Sequence, residues 1–216
     1  MASVAVFTLL WKRDNLAAIV EAVKSQTVKP KLYVWNNDPD RFIQESDGPD
    51  WVINSSRNTT GLFTSQHMKM CEEDFICYMD DDLTFRTPNA LEYAMGHAAD
   101  DGRLYGAFGV ILHNDKPYLK CPGFDCPVCQ VNVDIMKYRF MLAGKETFSK
   151  VEDGKCNVIH QDIAVSGNLS QGKCWHVLIP HMKPHLKELP NGYGLHDRGT
   201  THYDEREKWR RHYFDY

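Results

Sequence analysis

No apolar run reaches the length of about 18 residues that a membrane-spanning helix needs. No G-x-G-x-x-G follows a strand-like segment, which removes the tight pyrophosphate turn of the dinucleotide-binding folds. Neither sign of charge dominates: 25 basic residues stand against 29 acidic ones, a net charge of −4. Composition therefore gives no bulk attraction to nucleic acid or acidic membranes. Seven cysteines cannot all pair, which argues against a disulfide framework and for a reducing, cytoplasmic setting. The first residues have no basic stretch ahead of an apolar one, so no signal peptide is expected. Repeats, low-complexity tracts and linkers are missing as well. A chain of 216 residues, 43% hydrophobic and 25% charged, reads as one soluble domain, residues 1–216.

What the chain does have is the run Phe75-Ile76-Cys77-Tyr78-Met79 leading straight into Asp80-Asp81-Asp82. A short apolar run bounded by polar residues reads as a buried central strand. Three adjacent carboxylates at its end repel one another unless something positive sits with them. A divalent cation answers that need, because hard cations take carboxylate oxygens and keep coordination positions for phosphate. Ligands of open α/β sheets also gather at the carboxyl ends of the strands. The competing reading is a solvated acidic turn.

The pattern on either side is that of alternating strands and helices. Ser3 to Leu10 reads as a buried strand. Asp14 is placed to cap a helix carrying Leu16, Ile19, Val20 and Val23 on one face. Strands are expected at Lys31 to Trp35 and Trp51 to Asn54, and a helix from Gly61 to about Cys71. After the triplet, Thr87-Pro88 starts a helix reaching about Ala99, and Leu104 to Leu112 is a further strand. The remainder is less regular, with a strand or helix near 130–142, a helix from about Asp162 and a strand at Trp175 to Ile179. Alternation of this kind implies an α/β fold with a mainly parallel central sheet covered on both faces.

Three chemistries use such a triplet. Asp80-Asp81-Asp82-Leu83-Thr84 satisfies the D-x-D-x-T pattern of haloacid-dehalogenase-type phosphatases, with Asp80 as nucleophile. That motif normally closes the first strand of its core, whereas here three strands come first. A dinucleotide-binding site lacks its glycines. The third possibility rests on the order of elements. Thr8 to Arg13 ends the first strand, Asn37-Asp38 the second, Arg57-Asn58 and Gly61 follow the third, and the triplet follows the fourth. In this order the chain resembles the GT-A glycosyltransferases, in particular family 2, clearly over about residues 1–112 and more weakly over about 113–216.

The resemblance implies a three-layer α/β/α nucleotide-diphospho-sugar transferase fold, with a donor-binding first part and an acceptor and metal-loop second part. It implies that Thr8, Trp11 and Arg13 lie near the base or phosphates, with Asn37, Asp38, Arg57 and Asn58 in the same pocket. Asp80 would meet the ribose and the metal, Asp81 would lie close to both, and Asp82 would bind the metal, which would be Mn²⁺ or Mg²⁺. A histidine of the C-terminal loop often completes such a site. His196, within Gly192-Tyr193-Gly194-Leu195-His196-Asp197-Arg198-Gly199, is the candidate, with Arg198 for phosphate and His181, His185 and His202 as rivals. Inverting members use a carboxylate at the start of a later helix as base. Asp162 occupies that place as the favoured base, although Gln161 stands where the family has a second acid; the competing reading is an N-cap, and one residue can do both. The donor implied is a nucleotide sugar, by family habit a UDP-sugar. The acceptor hydroxyl could belong to a glycan, a protein, a small molecule or a modified DNA base.

Separately, Cys121, Cys126 and Cys129 have thiolate spacing suited to a structural Zn²⁺, with Cys156, Cys174 or His176 as fourth ligand. A zinc-braced, non-catalytic nucleotide-binding protein is the corresponding alternative to an enzyme. The charged tail from Asp204 to Tyr216 reads as a solvated helix docking Trp209 and Tyr213.

Overall fold

The computed structural model describes residues 2–57, 67–113, 116–120, 131–151, 161–190, 208, 210–212 and 214. Its frame is an eight-stranded sheet. β1 (Val4–Leu10) lies between β2 (Lys31–Asn36) and β4 (Phe75–Met79), and β3 (Trp51–Asn54) forms the edge beyond β2. These four strands are parallel to one another. The sheet continues past β4 through β11 (Phe140–Gly144), β6 (Tyr105–Gly106), β12 (His176–Leu178) and β9 (Val131–Val133). This second half is mixed: β11 runs antiparallel to both β4 and β6, while β6 and β12 are parallel.

Side-chain alternation on the central strands builds the layers. Val4, Val6 and Leu10 of β1, with Cys77 and Met79 of β4, face α1 (Leu16–Lys24) and α2 (Ala90–His97). Leu16, Ile19 and Val23 of α1 and Ala90, Leu91 and Ala94 of α2 are buried against them. Ala5, Phe7, Ile76 and Tyr78 point the other way. They share a core with Phe148 of α3 (Lys145–Ser149) and with Val165 and Leu169 of α4 (Gln161–Leu169). The result is helix, sheet, helix. Ile19 is fully buried, so Ile19→Ala should cost about 2–5 kcal/mol.

Several local expectations change. Asp14 does not cap α1; Asn15 takes the N-cap position without a side-chain cap, and Asp14 is exposed and pairs with Arg41 at 3.2 Å. The helix after Thr87-Pro88 starts at Ala90. The strand expected over 104–112 is split. Only Tyr105–Gly106 joins the main sheet, whereas β7 (Gly109–His113) pairs with β8 (Lys116–Lys120) and β10 (Ile135–Met136) in a small second sheet. Gly106 sits where β6 and β11 leave no room for a side chain: a Cβ there would sit 2.5 Å from the Phe140 carbonyl oxygen. Of the helix expected over 61–71, only His67 and Met68 fall within the described residues as helix. In the tail, Trp209 and Tyr213 fall outside the described residues; Phe214 packs on the cluster of Val110, Leu112, Ile135 and Ile163.

A third sheet pairs β5 (Leu83–Phe85) with β13 (Leu186–Glu188), antiparallel. This hairpin-like closure brings the C-terminal segment beside the turn that holds the triplet.

Candidate active site

The chain leaves β1 for β2 and β3 on one side, then returns to place β4 on the other side of β1. The carboxyl ends of β1 and β4 therefore flank the crevice where the winding reverses, the usual place for a ligand in an open α/β sheet. Trp11 and Arg13 follow β1, and Asp80, Asp81 and Asp82 follow β4. The fold itself brings these two sequence segments together.

The middle acid is the anchor of the arrangement. Asp81 is buried, with one oxygen accepting the Trp11 backbone N–H at 2.8 Å and the other paired with the Arg13 guanidinium. Its carbonyl accepts the Asn15 side-chain amide at 2.8 Å, and the same amide reaches the Pro190 carbonyl at 3.0 Å. Asn15 thus ties the first loop, the triplet and the C-terminal segment together. Lys12 turns through φ 53°, a left-handed conformation that is uncommon for a residue with a side chain, between the two residues that hold Asp81.

Asp80 and Asp82 face differently. Asp80 accepts the Tyr78 hydroxyl at 2.8 Å, and its backbone N–H donates to the Arg139 carbonyl at 3.0 Å. Burial pushes the Asp80 carboxyl up to about 8, with the charges of Asp82 and Asp81 adding to the shift. Burial also raises Asp81, to about 6, against the opposing pull of Arg13. Asp82 lies between two guanidiniums: Arg13 Nη2 is 3.9 Å from one of its oxygens and Arg139 Nη2 is 3.7 Å from the other. The Asp82 carbonyl accepts the Leu189 N–H at 2.8 Å, continuing the closure made by β13.

The loop after β2 forms an adjoining wall. Asn37 donates its N–H to the Leu10 carbonyl at 2.9 Å, and Asp38 closes a turn by accepting the Asp40 N–H at 3.1 Å. Arg41 bridges the two loops by donating to the Arg13 carbonyl at 3.0 Å. Asn37 and Asp38 are buried, Trp11 and Arg13 are half-buried, and Arg57 is exposed just beyond β3. Thr8 is fully buried within β1, its Oγ1 without a hydrogen-bond partner among the described residues. Asn58, His196 and Arg198 lie outside the described residues, as do Cys121, Cys126 and Cys129.

Asp162 is buried in the first turn of α4, one residue past the helix start rather than at a cap. Two candidate metal ligands, His176 for the zinc and His185 as a rival of His196, have other employment. His176 is fully buried, with Nδ1 accepting the Leu104 N–H at 3.1 Å and Nε2 at 2.9 Å from the Ser166 carbonyl. Both ring nitrogens are thereby used, so His176 is not a zinc ligand. His185 bonds Thr87 through Nδ1 at 2.8 Å and stacks on Tyr93.

Arg139 and Asn15 are the site residues that the sequence did not mark. Arg139 immediately precedes β11, whose antiparallel register sets Phe140 opposite Met79. Any residue just before Phe140 must then land beside Asp80, a signal visible only once that pairing is known.

No family model and no curated protein sequence matches the chain. Solved structures do match in shape. One is GalNAc-T7 with UDP, GalNAc and Mn²⁺, at a TM-score of 0.61 and 10% identity, over 88% of this chain and 44% of that one. The chain has the GT-A fold. Another is the mannosyltransferase PcManGT from Pyrobaculum calidifontis with GDP-Man and Mn²⁺, at 0.56 and 10% identity, over 84% of this chain and 55% of that one. The chain spans about half the length of these two structures. In this fold the triplet follows β4, whereas the haloacid-dehalogenase motif normally closes a first strand. Membership of family 2 is not carried by these matches. Among the described residues no helix is long and apolar enough to cross a membrane, and no group of three or more His, Cys, Asp or Glu is set to hold a metal.

Proposed function

We propose that the chain is a metal-dependent glycosyltransferase that moves a sugar from a nucleoside diphosphate donor, a UDP-sugar in the first instance, to an acceptor hydroxyl. The observation that carries this is the charge arrangement at the winding-reversal crevice. Three carboxylates meet there with two guanidiniums, and Asp80 holds its proton up to about pH 8 in the absence of a further cation. The neighbours in shape, bound to Mn²⁺ with UDP or GDP-Man, support the same reading.

The donor set suits Mn²⁺ or Mg²⁺, since Asp80 and Asp82 offer hard oxygen ligands and phosphate oxygens would complete the shell. His196 is assigned as a third protein ligand. When bound, such a cation supplies neutralisation of the charge that develops on the departing diphosphate. Asp81 is spent on Trp11 and Arg13, so it holds the two loops in register and keeps Arg13 beside the donor. Trp11, Asn37, Asp38, Arg57 and Asn58 are assigned to the nucleotide, Thr8 to the floor beneath it, and Arg198 to phosphate. Asp162 is assigned as the base that takes the acceptor proton while the oxygen attacks the anomeric carbon from the face opposite the diphosphate, inverting it.

The test is incubation with Mn²⁺ and a panel of UDP- and GDP-sugars, with and without EDTA. Release of nucleoside diphosphate that EDTA abolishes is the expected result. Inorganic phosphate as the product would point to a phosphatase, and tight donor binding without turnover to a binding protein.

A further inference from the structure

We propose that Arg139 is a diphosphate-binding residue, held in reserve by Asp82 and Glu188 until metal and donor arrive. This rests on the donor-site reading above. The guanidinium sits at the mouth of the triplet, with Nη2 at 3.7 Å from Asp82 and Nη1 at 3.2 Å from Glu188 at the end of β13. Its plane carbon lies 5.0 Å from the Phe108 ring centre, which supports the side chain from below.

The two arginines that flank Asp82 differ in freedom. Arg13 is locked, because its guanidinium is paired with the buried Asp81. Arg139 is not. Its side chain is 33% exposed, its partner Glu188 is 73% exposed, and its separation from Asp82 exceeds hydrogen-bond reach. Its main chain, by contrast, is pinned through the Asp80 N–H, so only the side chain can move. In the donor-free protein Arg139 balances part of the charge of Asp82. Once Asp82 engages a cation, that attraction is offset, and the planar fork is free to bind a phosphate group two-pronged.

The arrangement has an unusual consequence: Arg139 should hinder metal binding alone and help diphosphate binding. Arg139→Gln and Arg139→Lys are to be compared with the wild type in two titrations. Mn²⁺ is added without nucleotide and free metal counted by its EPR signal; UDP is then titrated by calorimetry at saturating Mn²⁺. R139Q should bind Mn²⁺ about three- to tenfold more tightly, through loss of a like charge beside the site. It should bind UDP about tenfold more weakly, through loss of a charge-assisted fork. R139K should fall between the two, keeping the charge without the fork. Weakening in both titrations would mean that Arg139 only supports the turn, and unchanged UDP affinity would remove the diphosphate role. Weaker UDP binding with unchanged Mn²⁺ affinity would overturn the reserve arrangement. A wild type that binds neither ligand would defeat the donor-site reading and this inference together, whereas wild-type binding with R139Q unaltered defeats the inference alone.

Discussion

Asp134 and the Asp80–Asp82 triplet are both acids withdrawn from solvent, and the protein treats them in opposite ways. Asp134, between β9 and β10, accepts the Leu112 N–H at 2.7 Å and the Cys174 N–H at 2.6 Å, one for each oxygen. Beside it His176 uses both ring nitrogens on neighbouring backbone. Asp134 joins β7 of the small sheet to the loop before β12, and His176 joins β12 to α4 and to the residue before β6. In the triplet, three carboxyl groups are crowded beside two arginines among the described residues, and burial with the neighbouring acids pushes Asp80 up to about 8. Burial alone therefore does not mark a site. Acids crowded until one of them keeps its proton mark a candidate, because a cation would let all of them ionise.

Mutations can sharpen that contrast. The largest effect is expected at Asp162. Asp162→Asn should lower transfer by about 10²-fold or more while leaving donor binding intact. Full transfer in that variant, measured as product formed per enzyme, would remove Asp162 as base.

Next in size is the structural acid. Asp134→Ala would leave two backbone N–H groups without their acceptor in a buried setting, costing about 2–4 kcal/mol in urea unfolding. The Mn²⁺ and nucleotide response should survive in the fraction that folds. Its loss would show that the two regions are coupled, not separate.

An effect of opposite sign is expected at Asp80. Its folded-state carboxyl titrates at about 8 against an ordinary 3.8, so the stabilisation it gives is present below about pH 4 and is lost as pH rises through about 8. Asp80→Asn keeps an acceptor for Tyr78 and carries no charge. The metal-free variant should therefore melt increasingly above the wild type as pH rises across that window, and should fail to gain from added Mn²⁺. A variant less stable than wild type at pH 8 would contradict the crowding of charge at the triplet.

Much of this was visible in the chain before the structure. The apolar run ending in three acids identified β4 and its carboxyl end, because a buried strand and a charge cluster are both local features. β1, β2, β3 and the apolar face of α1 were legible for the same reason. The break between Tyr105–Gly106 and Gly109–His113 was not, since Leu104 to Leu112 has uninterrupted strand character and only the two pairings divide it. Strand β5 was missed because three residues become a strand only by pairing with Leu186–Glu188, about a hundred residues on. Asn15 carries no sequence signal for its role, because its tie to the Asp81 and Pro190 carbonyls depends on contacts 66 and 175 residues away. Arg139 had no motif around it at all. What could not be read was long-range pairing, and that pairing is what assembles the half of the site contributed by the C-terminal segment.

The most direct test is the melting temperature of wild type and Asp82→Asn with Mn²⁺, with UDP or GDP, and with metal and nucleotide together. A nucleoside diphosphate site built on the triplet predicts that the wild type rises sharply only when both ligands are present, and that Asp82→Asn, equally folded without ligands, does not. An equal rise in both proteins would place the nucleotide elsewhere and contradict the assignment of the triplet.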